Sequence, residues 1–309
     1  MSNTMSDITR RLLEKVSDFT GNFTGAFNIR ENGKCVGRKS SKNIIIEPKK
    51  DKPGIDITIL PGTKGETVFI PACVTHGGVN DLVHNDFHVG RDCDVKIIAG
   101  CGVNTDNEST ARHNGVHSFF LAENAHIVYE EKHMGIGTGN GNKSINPVTE
   151  AVLEAGSSLE IHSTQISGVD SAYRRTHATV AEGARLIVDE RLFTECEQTT
   201  DTHFKVELNG EDSVADIVSR SVARDKSCQT MDSVIVGNAA CKGHSECDAI
   251  IDGDAIVDAS PRLFARHKDS SLIHEAAIGK IAGEQILKLR TFGLTEEEAE
   301  KEIIEGFLS

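Results

Sequence analysis

The 309-residue chain has no tryptophan, two tyrosines and six prolines. So little aromatic surface argues against a core built on large rings. It argues equally against the aromatic-lined groove with paired carboxylates that a β-solenoid enzyme acting on an extended polysaccharide requires. Positive charge is also scarce: 33 Lys and Arg stand against 47 Asp and Glu, a formal charge of −14, with no basic run to offset it. Such a chain repels a phosphate backbone, so nucleic acid is not an expected partner. No apolar run approaches the roughly 18 residues that cross a bilayer, so no membrane association is expected. The opening stretch MSNTMSDITRRLLEKVSDF has no apolar segment of the kind that directs export. A cytoplasmic location is expected, with the eight cysteines reduced and available as metal ligands or as small buried hydrophobes.

What is present is repetition. After an N-terminal stretch in which Ser6 or Asp7 caps a helix with Ile8, Leu12, Leu13 and Val16 on one face, short alternating segments such as Ile55–Ile59 and Val68–Ile70 read as strands. The apolar face of that first helix is too short for a membrane anchor and is expected to dock on the protein's own body. A unit consisting of a small or turn residue followed by an apolar strand start recurs at Asn124–Ile127, Gly156–Leu159, Gly183–Leu186, Asp254–Ile256 and Asp269–Leu272. Leu159 and Leu186 are 27 residues apart and Ile256 and Leu272 are 16 apart, as whole and half turns of a two-sided coil. Asn-Gly pairs, the strongest hairpin signal, occur at Asn32-Gly33, Asn114-Gly115, Asn140-Gly141 and Asn209-Gly210 and not between every pair of strands. The pattern predicts a mainly β protein, a right-handed parallel β-helix. Three segments are expected: a helix in residues 1–20, the β-helix with its leading segment in 21–275, and a helical region in 276–309. In that last region Ile278, Ile281, Ile286 and Leu289 suggest a helix closed at Gly293. Thr295 and Glu298 form a capping box ahead of a second helix carrying Ala299, Ile303 and Phe307. This hairpin is expected to protrude from the end of the coil, as a plug, a docking element or both.

The densest chemistry lies in residues 237–281. Cys241, His244 and Cys247 make a C-x-x-H-x-x-C spacing that fits a metal only if Gly243 bends the chain, because residues three apart on a strand face opposite ways. Cys247 lies 27 and 28 residues before His274 and Glu275, close to one turn of the coil, so adjacent coils are expected to stack Cys247 beside one of the pair. Thiolate is the ligand that iron-sulfur clusters demand, and imidazole and carboxylate are more readily exchanged ones. Upstream, Cys73, His76, His84, His88, His113 and His117 form a polar stretch without a carboxylate at a diagnostic spacing; loop histidines or ladder pairs are the expectation there, with a zinc or iron site as the alternative. The glycine run Gly135–Gly141 fails as a phosphate loop, since Asn142 precedes Lys143 and no helix follows. It is expected to be a mobile loop between coils.

Three ordered motifs carry a resemblance: Ser219–Ser227 (SRSVARDKS), Cys247–Ile251 (CDAII), and HEAAIGKIAGEQILKL from His274 through GLTEEEAEKEIIEGF. From about residue 60 onward the chain resembles the SufB/SufD family of iron-sulfur cluster assembly proteins. The resemblance implies a β-helix with flanking helices and a complex with a SufC-like ABC-type ATPase docked on the C-terminal helices. It also implies a sulfur donor and apo-protein acceptors. Cys247 and Glu275 match the SufB pattern at positions linked to the cluster, and His274 falls at the interface histidine. His133 stands where SufB chains carry a sulfur-accepting cysteine, a departure from the usual entry route. The chain is shorter than the usual SufB or SufD, which implies a single-subunit form pairing with itself. Cys247, His274 and Glu275 are therefore the expected cluster ligands, with Cys241, His244 and His133 as further metal candidates. The expected cluster is 4Fe-4S ahead of 2Fe-2S. No catalysis by this chain is expected; ATP hydrolysis falls to the partner. A SufD-like structural subunit holding no cluster is the alternative. Cys35, Cys73, Cys93, Cys101, Cys196 and Cys228 receive no role.

Overall fold

The computed structural model describes residues 6–309 except positions 18, 20 and 22, and only the backbone of Ile166. The protein is a mainly β solenoid: two long, largely parallel sheets face one another and the chain alternates between them at each half turn. Their strands run ten or so residues, for example Ser158–Ser167, Arg185–Thr194, Val214–Ala223, Lys242–Ile251 and Ser271–Gly279 in one sheet. Ser171–Val180, Thr199–Leu208, Cys228–Gly237 and Ile256–Ala265 lie in the other. Strict alternation of buried and outward side chains follows from the pleat, so every second residue enters one continuous core between the sheets.

The repeating unit read from the sequence is the corner of each coil. Asp92, Asn124, Gly156, Gly183 and Asp212 hold left-handed backbone there, the conformation that Gly, Asn and Asp adopt at least cost. Successive corners hydrogen-bond in a ladder, Asn124 N–H to Ala155 O at 3.1 Å, Gly156 N–H to Glu182 O at 2.9 Å and Gly183 N–H to Glu211 O at 2.8 Å. Leu159 and Leu186 pair directly, as their interval predicts. Of the Asn-Gly pairs only Asn32-Gly33 turns a hairpin, joining Ala26–Glu31 to Lys34–Lys39 with both turn residues at positive φ. Asn114-Gly115 runs straight through the strand Ala111–Leu121, because coil stacking overrides a local turn preference.

The glycine run begins as the end of the strand His126–Ile136 and continues from Gly137 as a loop stacked on its neighbour. Gly139 and Gly141 donate to the carbonyls of Thr105 and Asn107, and a Cβ on Gly139 would lie 2.3 Å from the Asn107 nitrogen. The first helix, Asp7–Val16, starts at Ser6, whose hydroxyl accepts from Thr9 N–H. Its buried residues Leu12, Leu13 and Val16 dock on the strand Asp94–Asn104, where Gly100 and Gly102 leave the space for it.

The N-terminal end of the solenoid is closed by antiparallel strands, including Ile44–Pro48 paired with Gly54–Ile59. The C-terminal end is not. Ile256–Ala265 and Ser271–Gly279 are the outermost strands of their sheets, and their side chains are mostly half-buried or exposed. The C-terminal helices, Gly283–Thr291 and Glu296–Phe307, do not plug this end, one of the two roles open to them. They fold back along the flank, where Glu296–Phe307 faces Thr164, Gln165, Arg191, Leu192 and Arg224 across a cleft, and Ile303 and Phe307 face Ala249, Ile250 and Ile278. Gly293 has the expected left-handed backbone and the Thr295/Glu298 capping box is complete. Among the described residues no helix is long and apolar enough to cross a membrane.

Candidate functional site

Strand register decides which candidate residues meet. Lys242–Ile251 pairs with Ser271–Gly279 so that Ser245 abuts His274, Glu246 abuts Glu275 and Cys247 abuts Ala276. Cys247 is therefore one full coil from Ala276 and not from His274 or Glu275; this coil is longer than the 27-residue one between Leu159 and Leu186. A slip of one residue moves a side chain to the other face of a sheet. Cys247, Ser245 and His274 face the core, whereas His244, Glu246 and Glu275 face outward. Within one chain Cys247 and Glu275 lie on opposite faces, and the C-x-x-H-x-x-C set is split the same way: Cys241 and Cys247 are buried inside, and His244 is outside, hydrogen-bonded through Nδ1 to Asp216 at 2.8 Å. Gly243 supplies no bend; it sits inside the strand, where a Cβ would meet Ile235 and Leu272.

Two ligand groups result. Outside, one donor atom each from His244, Glu246 and Glu275 lie within 4.8 Å of one another, on residues open enough for solvent to reach. Inside, Cys247 is 3% exposed. Burial, with Glu190 and Asp248 nearby, pushes its thiol up to about 11, so it ionises only when a cation arrives or the burial is relieved. On the terminal strand its register neighbour is Ala276. His274 Nδ1 is buried without a hydrogen-bond partner.

Behind Cys247 runs a polar lane. Glu131, Ser163, Glu190, Ser219 and Cys247 occupy one core-facing row across successive coils. Arg174 enters from the opposite sheet: its Nε lies 3.0 Å from Glu190 and its Nη2 3.7 Å from Glu131, and Nη1 is 2.8 Å from His133 Nδ1. Ser219 donates to Glu190 at 2.8 Å and Tyr129 to Glu131 at 2.9 Å. Burial opposes ionisation of Glu131, but the facing rings of His133 and His117 and the Arg174 guanidinium hold its carboxyl well below the usual carboxylate range. Burial pushes His133 down and takes His117 down to about 4. His113, 2% exposed, is one of the ladder pairs expected, a register partner of Asp81 at 3.2 Å, and His117, 3% exposed, is a strand residue facing the core and not a loop histidine, while His76 and His88 are exposed. Arg174, Glu131 and Glu190 were not singled out from sequence. The available signal was parity: in Leu186–Leu192 every second residue is apolar except Glu190, and in Ile127–His133 the inward series breaks at Glu131.

Comparison with known proteins places this arrangement in a family. Residues 75–307 match the family model described as SUF system FeS cluster assembly, SufBD core domain. An iron-sulfur cluster assembly SufBD family protein of Methanothermobacter thermautotrophicus strain Winter is 30% identical over 85% of this chain. The alignment covers 64% of that relative's own length. One from Archaeoglobus fulgidus is 29% identical over 84% of this chain and 69% of its own length. One from Methanocaldococcus jannaschii is 25% identical over 91% of this chain and 89% of its own length. The chain belongs to the SufBD family of iron-sulfur cluster assembly proteins.

Proposed function

We propose that the chain is a scaffold subunit of a SUF-type complex, which assembles an iron-sulfur cluster as cargo on its terminal coils and hands it to apo-proteins. The observation that carries this reading is the concentration of Cys247, His274 and the His244/Glu246/Glu275 group on the last two coils, beside two sheet edges without a neighbour. Two copies paired along Ser271–Gly279 would bring both ligand groups to one axis. A 4Fe-4S cluster, or less favourably a 2Fe-2S one, would then take Cys247 and His274 from the inner face of one copy and Glu275 from the outer face of the other. Carboxylate and imidazole hold iron less tenaciously than thiolate, which suits a cluster meant to leave. A sulfur donor supplies sulfide, in a reducing, cytoplasmic setting suited to eight unpaired cysteines.

Exposing Cys247 falls to a SufC-like ABC-type ATPase, with no catalysis by this chain itself. The terminal strand runs into the helical pair, whose Leu287 and Phe292 are 63% and 73% exposed. A partner seated there would pull on the strand beside Cys247, a two-state event biased by nucleotide. The double variant Leu287→Asp/Phe292→Asp, at sites that support no core, should abolish co-purification with the ATPase at unchanged thermal stability; retained co-purification would remove the helices from the docking site.

Anaerobic reconstitution with ferrous iron and sulfide tests the scaffold role. Wild type should gain visible absorption and bound iron, and Cys247→Ala should lose most of both. Equal iron in the two, or none in either, favours a SufD-like structural subunit, a reading suited to the separation of Cys247 and Glu275 onto opposite faces within one chain.

A further inference from the structure

Far from the terminal coils, deep in the solenoid, Cys101, Glu131 and His133 bring a sulfur, a carboxylate oxygen and an imidazole nitrogen within 4.8 Å of one another, all three residues buried. The fold produces this directly: Cys101 and His133 are register partners on adjacent strands, and Glu131 precedes His133 by one pleat on the same core-facing side. We propose that these three residues form a resident site for one divalent transition-metal ion of the zinc or ferrous class, separate from cluster assembly. Mixed sulfur, nitrogen and oxygen donors suit such an ion and not calcium or magnesium.

Two independent observations point to a missing cation. Both ring nitrogens of His117 are buried without a hydrogen-bond partner, although buried polar atoms are almost always satisfied. His133 Nε2 lies 3.3 Å and His117 Nε2 4.0 Å from the same oxygen of Glu131, so both rings face that carboxylate, with Cys101, Glu131 and His133 as the three donors close enough to share an ion. The second observation is charge. Among the described residues Arg174 is the one guanidinium or ammonium that pairs with Glu131 and Glu190, one such positive charge for two buried carboxylates.

Protonating a histidine does not repair this well. An imidazolium at His133 would set its Nδ1–H against the Arg174 N–H that now points at it from 2.8 Å. At His117 it would bury two charged donors without acceptors. A divalent ion with Cys101 as thiolate balances the set: Arg174 and the metal contribute three positive charges, and Glu131, Glu190 and Cys101 three negative ones. Binding replaces the Cys101 S–H bond by a sulfur–metal bond and releases that proton to solvent. It also moves the His133 proton to Nδ1, so Arg174 turns from His133 while keeping Glu190 and Ser163.

Cobalt is the probe, because cobalt-thiolate coordination gives a charge-transfer band that oxygen and nitrogen ligands do not. Cys247→Ala protein, in which the terminal thiol is absent, is produced in cobalt-supplemented medium and also refolded with Co2+ so that the ion enters before the core closes. Roughly one Co2+ per chain, retained through dialysis and carrying the thiolate band, is expected. Adding Cys101→Ala should remove the band, and adding Glu131→Gln should lower retention at least tenfold. X-ray absorption on the parent protein should show one sulfur among the first-sphere ligands, a readout independent of how the variants fold. No retained cobalt by either route, or a band that survives loss of Cys101, overturns the proposal and leaves a buried proton as the neutralising charge.

Discussion

Replacing Arg174 by methionine should destabilise the protein by roughly 3–5 kcal/mol at pH 7, the scale seen when one partner of a buried ion pair is removed and the other stays buried. The side chain is of similar length, so the loss is electrostatic and not a cavity. Here two carboxylates depend on it, Glu190 at 3.0 Å and Glu131 at 3.7 Å. The sign of the pH dependence distinguishes this account from a packing defect. In the native protein Glu131 is held below its ordinary range. It stays ionised folded and unfolded between pH 7 and 5, contributing stability that is lost only as pH falls through its depressed value. Without Arg174, the desolvation of Glu131 is less opposed and its carboxyl takes up a proton in the folded state at a pH where the unfolded chain, near 4.3, does not. The folded variant then binds more protons than the unfolded chain, so its stability relative to wild type must rise as pH falls from 7 toward 5. Taking the difference cancels the acid sensitivity that buried His117 imposes on both proteins. Denaturant melts of the two proteins at several pH values measure the gap; a gap that is constant or widens on acidification would show that the carboxylates are not what Arg174 supports.

That lane explains which parts of this protein were legible in the sequence. The solenoid was readable because its signal is local and repeated: a small residue that tolerates left-handed backbone, then an apolar alternation, again and again, with Leu159 and Leu186 in true register. The capping box at Thr295 was readable for the same reason, since both partners lie within four residues. What failed was arithmetic that depends on exact coil length. An interval of 27 or 28 residues places Cys247 beside His274 or Glu275 by counting alone, and the true register with Ala276 turns Glu275 to the outside. The histidines divide. His113 and His117 sit in a polar stretch that reads as loop histidines or ladder pairs; His113 is a ladder partner of Asp81, and both rings point between the sheets, because strand parity and not local polarity decides the side. Arg174 carries the least local signal of all, because its reason for being buried lies on other coils, at Glu131 and Glu190.

The edge left bare at the end of the coil leads to the other large effect. Ile256, Phe264, Ile273 and Ile278 are 62%, 45%, 52% and 41% exposed, all on the last coil, on strands that end their sheets among the described residues. An apolar, unpaired edge is what natural proteins avoid unless something covers it, and the proposed pairing with a second copy would cover it while bringing together two sets of Cys247, His274 and Glu275. The double variant Ile273→Lys/Ile278→Lys should therefore be monomeric in sedimentation. A two-fold axis places four lysines in one interface; at about 1 kcal/mol each, the loss of ~4 kcal/mol weakens pairing by about a thousandfold. Ile273 is exposed in the single chain, whereas Ile278 also faces Ile303 and Phe307, so the single variant Ile273→Lys, whose melting should change little, separates lost pairing from lost helix packing. If the paired edges hold the cluster, iron incorporation in the monomeric variant should fall to the level of Cys247→Ala. A variant that stays dimeric with full iron would place the pairing surface elsewhere, and a monomer that still builds the cluster would confine assembly to one chain, with Cys247 and His274 on the inner face as its ligands.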